Sequence, residues 1–352
     1  MNKTIYFLLI CLLPITAFQC KTPSVAIGII NETGEMYLTN KNKITFANID
    51  LGKEQIVRDN TENYFEQVKV LDMRIQMNAT SRGDRTTLLK DYKSHLQNSV
   101  LAWTEEEKEF VSAVFIKATK LITAISDDIL VDDIMLIKCN MNHYGKGVYY
   151  TREKAIVIPV NSLRSQGADD FMQTMIHEIF HIYARYNPKK RDELYKRIGY
   201  TSIDPPKMPD VIESRILLNP DGVNFNYAIS VTEKRTNKEI TAMPIIYSKM
   251  LNFTPKQTDF FEYLQFSLFA VEDGVLQTSR TGESTIRIKS LDGFFEQIGN
   301  NTQYIIHPDE ILADNFTLIC LSNDDPEILE KEYNIRAEGK QLVEDLKAII
   351  RE

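Results

Sequence analysis

The sequence predicts an α+β fold. Short alternating apolar runs bounded by turn residues occur before residue 60 and again between 200 and 300, where they read as antiparallel strands. Apolar residues at spacings of three and four mark helices near 105–122 and 169–187, and a helical tail returns from Pro308. The 352 residues are 43% hydrophobic and 26% charged, with 14 Gly and 12 Pro, which excludes collagen-like, low-complexity and disordered chains. With 41 Lys+Arg against 49 Asp+Glu the net charge is -8, the wrong sign for a nucleic-acid partner.

Residues 5–18 (IYFLLICLLPITAF) carry no charge and follow Lys3. The stretch is too short to span a bilayer, which takes roughly 20 residues, and suits the apolar region of a secretory signal. Residues 1–19 are therefore read as an export signal. Cys20 follows at the place where bacterial lipoprotein signals put the residue that is lipidated, so the expected localisation is the cell envelope, through a lipid anchor at Cys20, or secretion. Cys139 and Cys320 are the cysteines of the folded part, too few for a disulfide framework. They can pair once or stay buried thiols, and no CxxC spacing supports a cysteine-based metal or redox site.

Residues 20–100 form a mixed N-terminal segment. SVAIGII, EMYLTN and KITFANI alternate as short strands up to about residue 60, and residues 60–100 are polar and helical. The segment 101–200 begins with Thr104-Glu105-Glu106-Glu107, which can cap an amphipathic helix through Phe110, Val111, Val114, Phe115, Ala118, Leu121 and Ile122. Two β-type runs follow, Ile134–Ile137 and Ala155–Pro159. The next helix begins near Asp169-Asp170, whose charges suit its N-terminal dipole, and stops at Asn187-Pro188. Residues 201–300 read as a β-rich insertion, with runs at Asn226–Val231, Pro244–Tyr247 and Tyr263–Phe269. Residues 301–352 are a helical C-terminal part.

The 169–187 helix contains His177-Glu178-Ile179-Phe180-His181. Residues four apart on a helix lie about 40° apart around its axis, so the two imidazoles project from one face and can share one metal ion. Glu178 points from the edge of that face, where it can reach a metal-bound water without being a ligand. The helix is otherwise apolar over most of its circumference, and buried histidines and a glutamate there need a partner that satisfies them. Catalytic zinc usually takes three protein ligands, and no histidine follows His181 closely. Of the fifteen glutamates after His181, only Glu310 has an aspartate four positions on, at Asp314. Pro308 marks a helix start that puts both on one face, so Glu310 can bind the metal while Asp314 accepts a ring proton of a ligand histidine. Glu213 and Glu193 are the alternative third ligands.

The His177-Glu178/His181 motif with the downstream Glu310-xxx-Asp314 helix resembles the gluzincin class of zinc metallopeptidases. HPDEILADNF is similar to the second motif of bacterial secreted and lipoprotein members. The resemblance spans about residues 145–320. It implies a zincin-like catalytic domain, with the metal-binding helix against a small twisted sheet whose edge strand lines the cleft. Ala155–Pro159 is the candidate edge, where an extended peptide can add as a strand, or else a plain core strand.

The expected function is that of an exported metallopeptidase with one Zn2+ per chain and a peptide or protein substrate. Glu178 is the expected general base toward a metal-activated water. His307, Tyr247, Tyr200 and Arg185 are the candidate oxyanion donors. The competing reading is a surface-anchored binding or scaffold protein that keeps such a fold without turnover.

Overall fold

The computed structural model describes residues 27–352 apart from 81–82, 141–142, 146 and 258. Residues 1–19, read from sequence as an export signal, and Cys20 lie outside the described residues. The fold is α+β with two sheets.

The first sheet contains β1 (Glu35–Tyr37), β2 (Lys43–Phe46), β3 (Asp133–Cys139), β4 (Tyr150–Arg152) and β5 (Ala155–Pro159), in the order β1-β2-β3-β5-β4. β2, β3 and β5 run parallel, and β1 and β4 close the two sides antiparallel. The expectation that Ala155–Pro159 forms the edge is therefore wrong. The strand is buried along its whole length, as an apolar run on both faces demands, and β4 occupies the position beyond it. The connection between them turns at Glu153-Lys154, with Glu153 at φ 53. The outward N–H of Thr151 on β4 donates to Asp221 Oδ1 at 2.8 Å, so no added strand can bond the sheet at that position.

The start of the chain differs from the sequence reading. Within SVAIGII the described residues make only isolated bridges, at Ile27 and Ile30. Ile49–Gln55 is a helix that alternation did not suggest, started by Asn48, whose side chain accepts from the Leu51 N–H. Short helices at Tyr64–Gln67 and Val70–Met77 and a longer one at Arg85–Asn98 follow. The helix Glu105–Thr123 carries the expected capping box between Thr104 and Glu107.

Ala168–Tyr186, the histidine helix, packs between Glu105–Thr123 and Pro308–Ser322, the glutamate helix. Pro188 ends the histidine helix and opens the next, Pro188–Arg197, where its missing N–H costs nothing. One apolar core joins these helices to the first sheet through residues such as Ile156, Phe171, Ile179, Phe180, Ile311 and Phe316.

The second sheet is antiparallel: β6 (Tyr200–Ser202), β7 (Tyr227–Glu233), β8 (Glu239–Ser248), β9 (Leu264–Glu272), β10 (Val275–Leu276) and β11 (Leu291–Asp292). Its order is β10-β9-β8-β7-β11, with β6 also on β7. Asp273-Gly274 links β9 to β10 with φ 51 and 71, the two positive values of a tight hairpin turn. Cys139, on β3, and Cys320, on the glutamate helix, form no disulfide with each other and are both buried. Among the described residues no helix is long and apolar enough to cross a membrane.

Candidate metal centre

The helix period puts His177 above His181, and Glu310 above Asp314, each pair one turn apart on its helix. Packing of the two helices then turns the pairs toward each other. Glu310 Oε2 lies 3.1 Å from His177 Nε2 and 3.3 Å from His181 Nε2. One ligand atom from each of the three residues falls within 4.8 Å of the others, the one such His/Cys/Asp/Glu group among the described residues. His181 and Glu310 are almost fully buried, while His177 keeps a small exposed part toward the cavity.

Further contacts aim these groups. Asp314 Oδ1 accepts from His177 Nδ1 at 2.8 Å, which leaves Nε2 to face Glu310. Thr302 Oγ1 in turn donates to the other Asp314 oxygen. Asn219 Nδ2 donates to Glu310 Oε1 at 2.7 Å. Asn219 Oδ1 accepts the Asp221 N–H at 3.2 Å, which fixes the orientation of the amide. Gly222 is required in this loop, because a Cβ there would lie 2.2 Å from His307 Nδ1.

The electrostatics are those of buried imidazoles and carboxylates that perturb one another strongly. Burial opposes protonation of His177, but Asp314 and Glu310 outweigh it and hold the imidazole well above its ordinary pKa. His181 is raised to about 9, burial being outweighed mainly by the Glu310 and Asp221 carboxylates. Burial likewise opposes ionisation of Glu310, yet His181 and His177 hold its carboxyl well below the usual range. Glu178 is pushed up to about 8, first by burial and then by the Asp221 carboxylate. Its Oε2 is buried without a hydrogen-bond partner, as is His181 Nδ1, while His181 Nε2 has only the approach of Glu310 Oε2 at 3.3 Å. Two imidazoles and a carboxylate around such orphaned atoms fit a metal ion by charge and donor chemistry.

The other candidates lie elsewhere. Glu213 pairs with Lys69 at 2.7 Å and Glu193 with Lys190 at 3.1 Å, both partly exposed. Tyr247 donates to Glu283 at 2.7 Å instead of facing the site. His307 caps the glutamate helix, its Nδ1 accepting from the Asp309 N–H. Arg185 is spent on Glu62 and the Glu153 carbonyl, and Tyr200 is buried away from the cavity. Each of these polar side chains is claimed by another partner or by the core.

A cavity of about 540 Å³ opens beside the His-His-Glu group, with His177, Glu178, Glu310 and Asp314 in its wall. The hydroxyl-bearing residues that line it are Tyr144, Tyr149, Thr174, Tyr304 and Thr317. The Tyr304 ring stacks on His177, centroids 6.2 Å apart at 22°. The residue is 41% exposed, yet the protein crowded around its ring and the carboxylates of Glu310, Asp221 and Glu178 hold the hydroxyl well above the usual pKa, so it remains a proton donor. Sequence reasoning missed Asn219, Asp221, Thr302 and Tyr304. The turn signal Asn219-Pro220-Asp221-Gly222 marked a loop, with nothing local to say what the loop meets.

No protein family matches the chain, and neither the curated proteins nor the solved structures yield a match. What fold and site define by themselves is a class: an α+β protein with a buried two-helix His-His-Glu group able to bind a metal ion.

Proposed function

We propose that this chain is an exported zinc-dependent metallopeptidase with a zincin-like catalytic fold. The observation that carries the reading is the convergence of His177, His181 and Glu310 beside the unpartnered buried oxygen of Glu178. His177, His181 and Glu310 would hold zinc, which when bound lowers the pKa of water toward about 7 and polarises a carbonyl. Glu178 takes the proton of the attacking water and passes it to the leaving amine, the task of a carboxylate that stands beside the metal without binding it. The Tyr304 hydroxyl, near the same carboxylates in the cavity wall, would be the donor to the oxyanion. Export is supported by the uncharged stretch 5–18 alone. The intact Glu178 favours turnover over a purely binding role.

The test is metal analysis combined with a peptide-library digest. The purified protein should hold about one zinc per chain and cleave peptides in a chelator-sensitive way. Glu178→Gln should keep the zinc and lose hydrolysis by at least about a hundredfold. A folded protein that takes up no metal, or a variant that cleaves as well as the parent, overturns the reading.

A further inference from the structure

Asn219 bonds Glu310, and the loop that carries Asn219 runs between the short helix Asp210–Glu213 and β7, outside any helix or strand. With no ladder of its own, the loop is placed by its bonds to other segments. The Leu217 N–H donates to the Ile246 carbonyl on β8 at 3.1 Å, and Asp221 Oδ1 accepts from the Thr151 N–H on β4 at 2.8 Å. Between these two anchors the Leu218 N–H donates to Asp72 Oδ2 at 2.9 Å. That bond fixes the residue next to Asn219. Pro220 follows Asn219 and largely bars it from the helical region, so a shift at Leu218 is passed on to the Asn219 side chain rather than absorbed by its backbone.

Asp72 reaches the loop from the helix Val70–Met77, 146 positions earlier in the chain. It is fully buried, and its other oxygen, Oδ1, accepts from Gln76 Nε2 at 2.8 Å, one turn along the same helix. Gln76 is itself held, donating to the Tyr64 hydroxyl at 3.2 Å and accepting from the Tyr92 hydroxyl. Both carboxylate oxygens are thus assigned, and neither can leave its donor without orphaning a buried N–H. Burial raises the carboxyl to about 7 against the pull of the Gln76 and Leu218 bonds, as expected where those donors replace water.

We propose that Asp72 is a positioning residue for the metal centre: by holding the Leu218 N–H it fixes the backbone that carries Asn219, and Asn219 keeps Glu310 Oε2 toward the two histidines. The assignment rests on the metal-binding part of the proposed function and not on peptide hydrolysis. Without the carboxylate the Leu218 N–H loses its buried acceptor, the loop moves to find another, and the Asn219 bond to Glu310 is lost with it.

The experiment measures zinc affinity of the full chain, by competition with a fluorescent chelator, in the parent, Asp72→Ala, Asn219→Ala and the double variant. Asp72→Ala should weaken zinc binding by roughly 3- to 30-fold, and it should add less than about twofold once Asn219 is Ala, because the path to Glu310 is then already cut. Asp72→Asn, whose amide oxygen can still accept from Leu218, should recover most of the loss. A measurement on the wild type needs no variant to fold: zinc should slow hydrogen exchange of the Leu218 amide severalfold, since coupling along the path runs both ways. Parent-like affinity in Asp72→Ala, an equal loss with and without Asn219, or a Leu218 exchange rate that zinc leaves unchanged overturns the role of Asp72 and leaves zinc binding standing. A folded wild type that takes up no zinc overturns both. The expected cycle in a protein that cleaves no peptide overturns the peptidase reading and supports the role of Asp72.

Discussion

Asn219 donates to Glu310 Oε1 at 2.7 Å and so decides that Oε2 is the carboxylate oxygen that faces the two histidines. Its own Oδ1 is held by the Asp221 N–H, which prevents the amide from turning over. Asn219→Ala should lower zinc affinity by about 10- to 100-fold, the usual effect of losing a partner behind a ligand. Asn219→Asp should be worse, because a second carboxylate would replace a donor beside Glu310. Competition with a fluorescent chelator measures both, and parent-like affinity in Asn219→Asp would remove the orienting role.

Asp314 orients His177 through Nδ1 at 2.8 Å and is itself tied to Thr302. Asp314→Ala should cost zinc affinity about 10- to 100-fold, and Asp314→Asn less, since an amide oxygen can still accept from Nδ1–H. Equal losses in the two variants would mean that charge, and not ring orientation, is what Asp314 supplies.

Gly222 allows the 219–222 loop to lie against His307. Gly222→Ala places a Cβ 2.2 Å from His307 Nδ1, so either the loop or the ring must move. A loss of roughly 1–3 kcal/mol in stability is expected, together with weaker zinc binding because Asn219 moves with the loop. Chemical denaturation and zinc titration of the same preparation check the two effects separately.

In the metal-free chain the facing carboxylates favour the cationic form of both imidazoles, His181 with its pKa raised to about 9 and His177 also well above its ordinary value. Metal ligation requires them neutral, so zinc uptake at pH 7 should release about two protons, and affinity should fall as pH drops below about 9. Calorimetry in buffers of different ionisation enthalpy counts the protons. A count near zero would show that the rings are already neutral before the metal arrives.

Asp72 is fully buried, accepts from Gln76 and from the Leu218 N–H, and is raised to about 7 by burial. Its folded pKa exceeds its unfolded one, so the folded state binds the extra proton. The stabilisation is complete below about pH 4 and is lost as pH rises to about 7, amounting to at most about 4 kcal/mol. Asp72→Asn should remove this slope. Thermal unfolding from pH 4 to 8 should show the wild type losing stability relative to the variant across that window, and parallel curves would count against it.

Much of the candidate site was legible because its parts are local. His177 and His181 share a face, and so do Glu310 and Asp314, by the helix period alone; Pro308 and the acidic turn at Asp169-Asp170 mark where those helices begin. The antiparallel runs between 226 and 269 were legible for the same reason, since alternation and turn residues act over a few positions. The order of β5 and β4 was not, because a burial pattern says that a strand is covered and not which strand covers it. Nor were Asn219, Asp221 and Tyr304, which sit in irregular segments with no period and gain their meaning from groups far along the chain. By itself the sequence determined the donor types and their pairing on two helical faces, since backbone geometry within one helix settles that. Only the tertiary structure decided that the faces meet and that Asn219 holds Glu310, because both depend on packing between segments more than 80 residues apart.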